Sequence, residues 1–181
     1  MPTYIALLRG INVSGHKTVP MADLQKLFEK LGFKGAKTFI QSGNVAFKSA
    51  GGGDAALAEK LEAAIAERFG FEVTVIVRKA EEMSAALAGN PYARKKLVEN
   101  ERVYITFLGA APSKDAVKAL EGFADPVDEL KVRKTEVYVL ARNGYGNSKL
   151  SNAFVEKKLG VRATTRNLET TAKLIELAGS L

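Results

Sequence analysis

Tyr4-Ile5-Ala6-Leu7-Leu8-Arg9-Gly10-Ile11-Asn12-Val13-Ser14-Gly15 is the stretch around which the chain is organised. Residues 4–8 are a nearly all-apolar run of strand length, the pattern of a strand buried on both faces. Arg9 and Gly10 end it. The loop that follows, as far as Thr18, holds Gly10, Asn12, Ser14 and Gly15. These residue types tolerate positive φ or hydrogen-bond their own backbone. A cation, a flexible backbone and an amide therefore meet at a strand end. Successive N–H groups there can form an anion-binding nest, with the Arg9 guanidinium as a bidentate fork. A plain turn, with Arg9 paired to a carboxylate, would use the same residues. No Gly-Lys-Ser/Thr follows the glycines, so this is neither a Walker loop nor a dinucleotide fingerprint.

A second polar junction, Gln41-Ser42-Gly43-Asn44, lies between strands expected at 37–40 and 45–47. Ser42-Gly43-Asn44 reads as a tight hairpin connection. Ser42 has no base in evident reach, which argues against a covalent nucleophile.

Between these junctions Pro20 suits the first turn of a helix. Met21, Leu24, Leu27, Phe28 and Leu31 recur at helical spacing, and Gly32 stands where the helix should stop. Gly51-Gly52-Gly53 is a connector, and Asp54 is the expected cap of the next helix. That helix carries Leu57, Leu61, Ile65 and Phe69 on one stripe and ends at Gly70. Val73, Val75 and Val77 alternate as in a strand. The order within residues 3–78 is β-α-β-β-α-β, the ferredoxin-like split βαβ pattern.

Residues 79–100 read as a joint. A helix through Met83 and Leu87 is broken at Gly89-Asn90-Pro91, and a short basic helical piece follows at 92–98. Its Arg94-Lys95-Lys96 reads as a solvated face. The element order then returns. A strand is expected at 103–108, a helix opened by Pro112 and Ser113, and a hairpin of 129–132 with 136–140. A Gly-rich turn at 143–147 precedes a helix ending at Gly160, with Asn147 or Ser148 as its expected cap. A short strand at 161–164 and a last helix capped by Asn167 complete the chain. The expected fold is α+β, two tandem ferredoxin-like modules with antiparallel sheets and helices packed on them. The expected domains are 1–78, a helical joint 79–100, and 101–181 with the terminal helix.

Leu7-Leu8-Arg9-Gly10-Ile11-Asn12-Val13, Val19-Pro20-Met21-Ala22-Asp23-Leu24 and Ile40-Gln41-Ser42-Gly43-Asn44-Val45 together resemble the signature of a bacterial family, domain of unknown function 1697. Thr164-Thr165-Arg166-Asn167 resembles that family's C-terminal motif. The resemblance implies an α+β fold of tandem ferredoxin-like modules and no established activity, substrate or catalytic residues. It also implies an aromatic residue after Arg-Asn, where this chain has Leu168.

Thr164-Thr165-Arg166-Asn167 precedes a helix whose first N–H groups and dipole favour an anion. Capping by Asn167 beside a surface Arg166 is the alternative. Asn143-Gly144-Tyr145-Gly146-Asn147-Ser148-Lys149 has the composition of a phosphate-contacting turn, or of a loop with a cap. His16 is the single histidine, so no multi-His metal site exists, and a loop histidine is expected there. With no cysteine, thiolate metal sites, disulfides and cysteine nucleophiles are excluded. Tyr4, Phe39 and Phe47 lack the spacing of an RNA-recognition motif and read as core.

The net charge of +7 favours anionic partners, although a soluble basic surface is the plainer reading of it. The leading apolar run is too short for a signal or a membrane span, so a cytoplasmic location is expected. The favoured function is binding of a nucleotide, a phosphorylated metabolite or a nucleic-acid backbone in an inter-module cleft. Arg9, Gly10, Asn12, Ser42, Gly43, Asn44, Thr165, Arg166 and Asn167 are the expected ligand-binding residues. Two alternatives stand beside it: an enzyme acting on a phosphorylated small molecule, or an interaction module without a ligand. No metal or membrane partner is expected, and the residues name no cofactor or oligomeric state.

Overall fold

Every residue from 4 to 8 is buried, and the strand they form lies between two others, so no edge of it meets solvent. The computed structural model describes residues 1–123 and 125–181. Along them lie β1 (Thr3–Leu8), α1 (Met21–Lys30), β2 (Lys34–Thr38), β3 (Asn44–Lys48), α2 (Asp54–Phe69), β4 (Val75–Lys79) and α3 (Ala80–Ala88). Then come β5 (Arg102–Leu108), α4 (Lys114–Glu121), β6 (Glu129–Arg133), β7 (Glu136–Ala141), α5 (Asn152–Leu159), β8 (Ala163–Asn167) and α6 (Leu168–Gly179). The fold is mixed α+β, with two four-stranded antiparallel sheets and six α-helices among the described residues. One sheet has the order β2-β3-β1-β4 and the other β6-β7-β5-β8. Among those residues no helix is long and apolar enough to cross a membrane.

The chain divides into two compact units, Met1–Ala85 with Ala172–Leu181, and Ala86–Thr171. The last ten residues thus belong to the first unit, whereas the expected boundaries put the terminal helix with the second module. Lys37 Nζ reaches Ser180 Oγ at 3.5 Å, and Lys48 Nζ donates to the Leu181 main-chain oxygen.

In the first unit Tyr4, Ala6 and Leu8 of β1 pack with Leu24 and Phe28 of α1, Val45 and Phe47 of β3, and Leu61 and Ile65 of α2. Phe47 is the hub of the aromatic packing. Its ring stacks on Tyr4 at 5.8 Å and meets Phe28 edge-on at 5.2 Å. Such pairs add about 0.5–1.5 kcal/mol beyond the area they bury. Gly32 (φ 86) follows α1, and Phe33 N–H returns to the Phe28 carbonyl, closing the helix as expected. In the second unit Leu108, Leu120, Val137, Val139, Leu150, Val155 and Leu159 form the corresponding apolar cluster.

Local expectations are corrected in several places, and the last strand, expected at 161–164, is β8 at Ala163–Asn167. β2 covers Lys34–Thr38 and not 37–40, because Phe39 and Ile40 have left the ladder. The link to β3 is therefore a five-residue loop, 39–43, and Asn44 is the first residue of β3. Asp54 is the first helical residue of α2; Gly53 holds the cap position without a side-chain bond. Residues 92–98 are turns and irregular chain and not a helix. The cap of α5 is Ser151, whose Oγ accepts from Phe154 N–H, and not Asn147 or Ser148.

Candidate functional site

β1 runs antiparallel to both β3 and β4, so its C-terminal end meets their N-terminal ends. The loops 9–19, 39–43 and 70–74 consequently share one end of the first sheet. Backbone bonds stitch them together. Leu8 N–H donates to the Gly43 carbonyl (2.8 Å) and Arg9 N–H to the Thr74 carbonyl (2.9 Å). Asn12 ties the first two loops with its side chain. Its Nδ2 donates to the carbonyls of Val19 (3.0 Å) and Gln41 (2.8 Å), and its Oδ1 accepts from Val19 N–H (2.8 Å). Asn44 is fully buried and does the same for the second loop, donating to the Phe39 carbonyl (2.9 Å) and to Ser42 Oγ (3.1 Å). Arg9, Gly10, Asn12, Ser42, Gly43 and Asn44 are thus brought together.

The first loop concentrates left-handed backbone. Gly10, Asn12, Ser14, Gly15 and Lys17 all have positive φ. For Ser14 and Lys17 each such residue costs about 1–2 kcal/mol. Ile40 in the facing loop also has φ 52, an outlier for a β-branched side chain, and it is 48% exposed. Among the described residues, the N–H groups of Gly10, Ser14 and Gly15 have no intramolecular acceptor. Arg9 is half-buried, His16 and Lys17 are exposed, and Lys17 Nζ donates to the Glu72 carbonyl (2.7 Å).

Thr165, Arg166 and Asn167 lie on β8 in the second unit, and each is engaged there. Thr165 Oγ1 donates to Asn152 Oδ1 (2.9 Å) and accepts from the Tyr145 hydroxyl (3.0 Å). Its one proton being assigned to Asn152, the 2.8 Å contact with Thr106 must have Thr106 as donor. Tyr145, in the Gly-rich turn, also lays its ring on Tyr104 at 4.6 Å. Arg166 is 8% exposed and donates to Thr164 Oγ1 and the Thr165 carbonyl. Burial pushes its guanidinium down to about 10, so it stays charged at neutral pH. Asn167 Oδ1 accepts from Thr170 N–H (2.7 Å), the cap expected for α6.

Two further groups lacked any motif. Burial, with a hydrogen bond and charge from Glu82, raises the Asp54 carboxyl from 3.8 to about 6, partly offset by Arg78 and Lys79. An acid whose pKa rises on folding holds more protons folded than unfolded between about pH 4 and 6. Its contribution to stability is therefore present at low pH and is lost as pH rises through that window. Asp54→Asn is expected to exceed the parent in stability at pH 8, the two converging by pH 4. Urea midpoints across that range check this, and a constant gap refutes it.

The second group is Tyr92, whose hydroxyl is buried without a hydrogen-bond partner among the described residues. Burial and the nearby Glu129 charge push it up to about 12, against the opposing charge of Arg142. Leaving a buried hydroxyl unpaired costs about 1–3 kcal/mol. Tyr92→Phe is therefore expected to match or exceed the parent in denaturant midpoint, by about 1 kcal/mol. A loss of that size would mean the hydroxyl is bonded in solution.

Comparison with known proteins meets the loop stitching at the family level. The family described as "Protein of unknown function (DUF1697)" matches residues 1–138, a span containing the loops 9–19, 39–43 and 70–74. The chain belongs to the DUF1697 family. The Thr164-to-Asn167 segment lies beyond the matched residues. This DUF1697 chain is similar to the solved structure of conserved bacterial protein SP0830 from Streptococcus pneumoniae. The two are 25% identical, the match covers 98% of each chain, and the TM-score is 0.75. No curated protein matches it.

The sequence pointed to Arg9, Asn12 and the 42–44 turn, but not to the Val19, Gln41 and Thr74 backbone groups that join them. Main-chain partners carry no residue-type signal. Ile40 was also missed, because an aliphatic residue after Phe39 looks like a strand.

Proposed function

We propose that this DUF1697 protein binds an anionic ligand, a phosphate or phosphorylated small molecule, on the loops 9–19 and 39–43 of its first unit. One observation carries the proposal: left-handed, outward-facing backbone is concentrated beside Arg9 and Lys17 at a single sheet end. N–H groups without internal acceptors, next to cations, suit an anion. Ser14 and Lys17 held at positive φ are backbone strain of the kind that clusters at ligand sites. Asn12 and Asn44 act in this proposal as positioning residues, and Arg9, Gly10, Ser42 and Gly43 as the ligand-facing set. Thr165, Arg166 and Asn167 then serve β8 and α6. Each unit is a ferredoxin-like module in this proposal, supported by the strand orders β2-β3-β1-β4 and β6-β7-β5-β8. A cytoplasmic setting fits a phosphorylated ligand.

Thermal denaturation with inorganic phosphate, pyrophosphate and ATP tests it. The expected result is a concentration-dependent rise in midpoint, by mass action on the folded state. Arg9→Ala should remove the rise, read against that variant's own ligand-free midpoint. A response from none of the three, or an undiminished response in Arg9→Ala, refutes the proposal.

A further inference from the structure

The start of β5 and the end of β7 lie side by side in the second sheet, with Arg102 opposite Ala141 in the antiparallel ladder. The chain entering β5 and the chain leaving β7 border a cavity of about 410 Å³, within the size range of small-molecule sites. Among the described residues Glu99, Asn100, Arg102, Asn143 and Gly144 line it, and all five belong to the second unit. Side chains alternate along β5, so Arg102 shares a face with Tyr104 and Thr106. The loop after β7 returns over that face. Gly144 (φ 80) turns the chain, and the Tyr145 ring lies on Tyr104 at 4.6 Å. The Tyr145 hydroxyl on Thr165 (3.0 Å) and Asn147 Nδ2 on the Asn143 carbonyl (3.1 Å) hold the loop there. On the other wall Arg102 Nη1 donates to the Glu99 and Glu101 carbonyls, both at 2.8 Å, which fixes the guanidinium. A ligand therefore has little chain to order.

The lining groups have bonding capacity left. Arg102 Nε and Nη2 make no hydrogen bond among the described residues. Neither do the Glu99 carboxylate or the side-chain amides of Asn100 and Asn143. Glu101, next to Arg102, is paired with Arg142 (3.2 Å) and adds no free charge. One carboxylate, one guanidinium and two neutral amides thus line one cavity. Their charges balance, and that balance selects the occupant. A phosphate or other polyanion would meet Arg102 but also the like charge of Glu99. An apolar molecule would strip water from all four groups and return no hydrogen bonds. A small zwitterion answers each of them. Its carboxylate fits the Nε–Nη2 edge of Arg102 with two parallel bonds, and its ammonium fits Glu99. Asn100 and Asn143 each offer a donor and an acceptor to a polar side chain.

We propose that this cavity binds a free α-amino acid with an amide or hydroxyl side chain. The site belongs to the second unit and does not depend on the anion-binding loops of the first. Amide NMR of the full chain, titrated with glutamine, asparagine and serine, provides the test. At least one of the three should give saturable shifts of the Gly144 main-chain amide and of the Asn100 and Asn143 side-chain amides. The methyl ester of that amino acid lacks the anionic carboxylate, and its N-acetyl form lacks the ammonium. Each should bind roughly tenfold more weakly or worse, the loss expected for one charged hydrogen-bonding group. Glu99→Gln should lose roughly as much. The Glu99 side chain makes no bond among the described residues, so this variant should fold as the parent does. Three results overturn the proposal: no saturable shift at those amides, equal affinity for the ester or the acetylated form, or undiminished binding by Glu99→Gln.

Discussion

Gly43→Ala is expected to lower stability by about 3–4 kcal/mol, combining backbone strain with overpacking. Gly43 has φ +88, a conformation that L side chains rarely adopt. A Cβ there would stand 2.6 Å from Ile11 Cδ1 and 2.8 Å from Leu8 Cβ. Both neighbours are buried, Leu8 completely and Ile11 at 1% exposure, so neither side chain can swing into solvent. The Gly43 carbonyl also accepts from Leu8 N–H, which holds the loop against the end of β1. Relieving the clash therefore breaks the stitch between the two loops. Gly10→Ala is the control. Its φ is +66 and nothing lies within 4 Å of its Cβ position, so it carries the strain without the clash. It should cost about 1 kcal/mol. Thermal midpoints measure both, with a fall of roughly 10 °C for Gly43→Ala. Equal effects would show that the close approach of the loops is not what demands glycine.

Asn12→Ala is expected to cost about 3 kcal/mol, from an unpaired buried amide and from alanine held at positive φ. Val19 is fully buried, and its N–H loses the Oδ1 acceptor. The carbonyls of Val19 and Gln41 lose their donor, and the link between the loops goes with it. Asn12→Gly separates the two contributions: it accepts φ 53 freely but makes no side-chain bonds, so it should fall about 1 kcal/mol short of the alanine variant's loss. Amide hydrogen exchange gives a local readout. Val19 N–H should exchange much faster in both variants, while the β1 amides keep their protection. Unchanged Val19 protection would remove Asn12 from its positioning role. If the loops bind an anion as proposed, both variants should also blunt the response to pyrophosphate.

Much of the architecture was legible because it depends on patterns short in sequence. The nearly all-apolar run at 4–8 announced a strand buried on both faces, and residues 4–8 of β1 are all buried. Gly70 (φ 81) ends α2, and Asn167 caps α6, because those residue types satisfy helix ends locally. The errors fell where local preference was overridden. Phe39-Ile40 looked like strand, yet Ile40 turns left-handed so that the chain can cross to Asn44. Residues 92–98 looked like a helical piece, yet their backbone is pinned by turns and their neighbours by Arg142.

The candidate site divides along the same line. Arg9, Gly10, Asn12 and Ser42-Gly43-Asn44 were visible as residue types that turns and anions require, and all lie within the family match over residues 1–138. That Asn12 faces inward to Val19 and Gln41, that Arg166 is buried, and that Arg142 gathers Glu101, Val127 and Glu129 were not visible. Residue identity alone determined the order of strands, helices and flexible turns, because φ preference and burial periodicity act over a few neighbours. Tertiary structure alone decided which carbonyl each amide meets and which charges are used up internally, because those partners lie tens of residues apart and meet when strands pair.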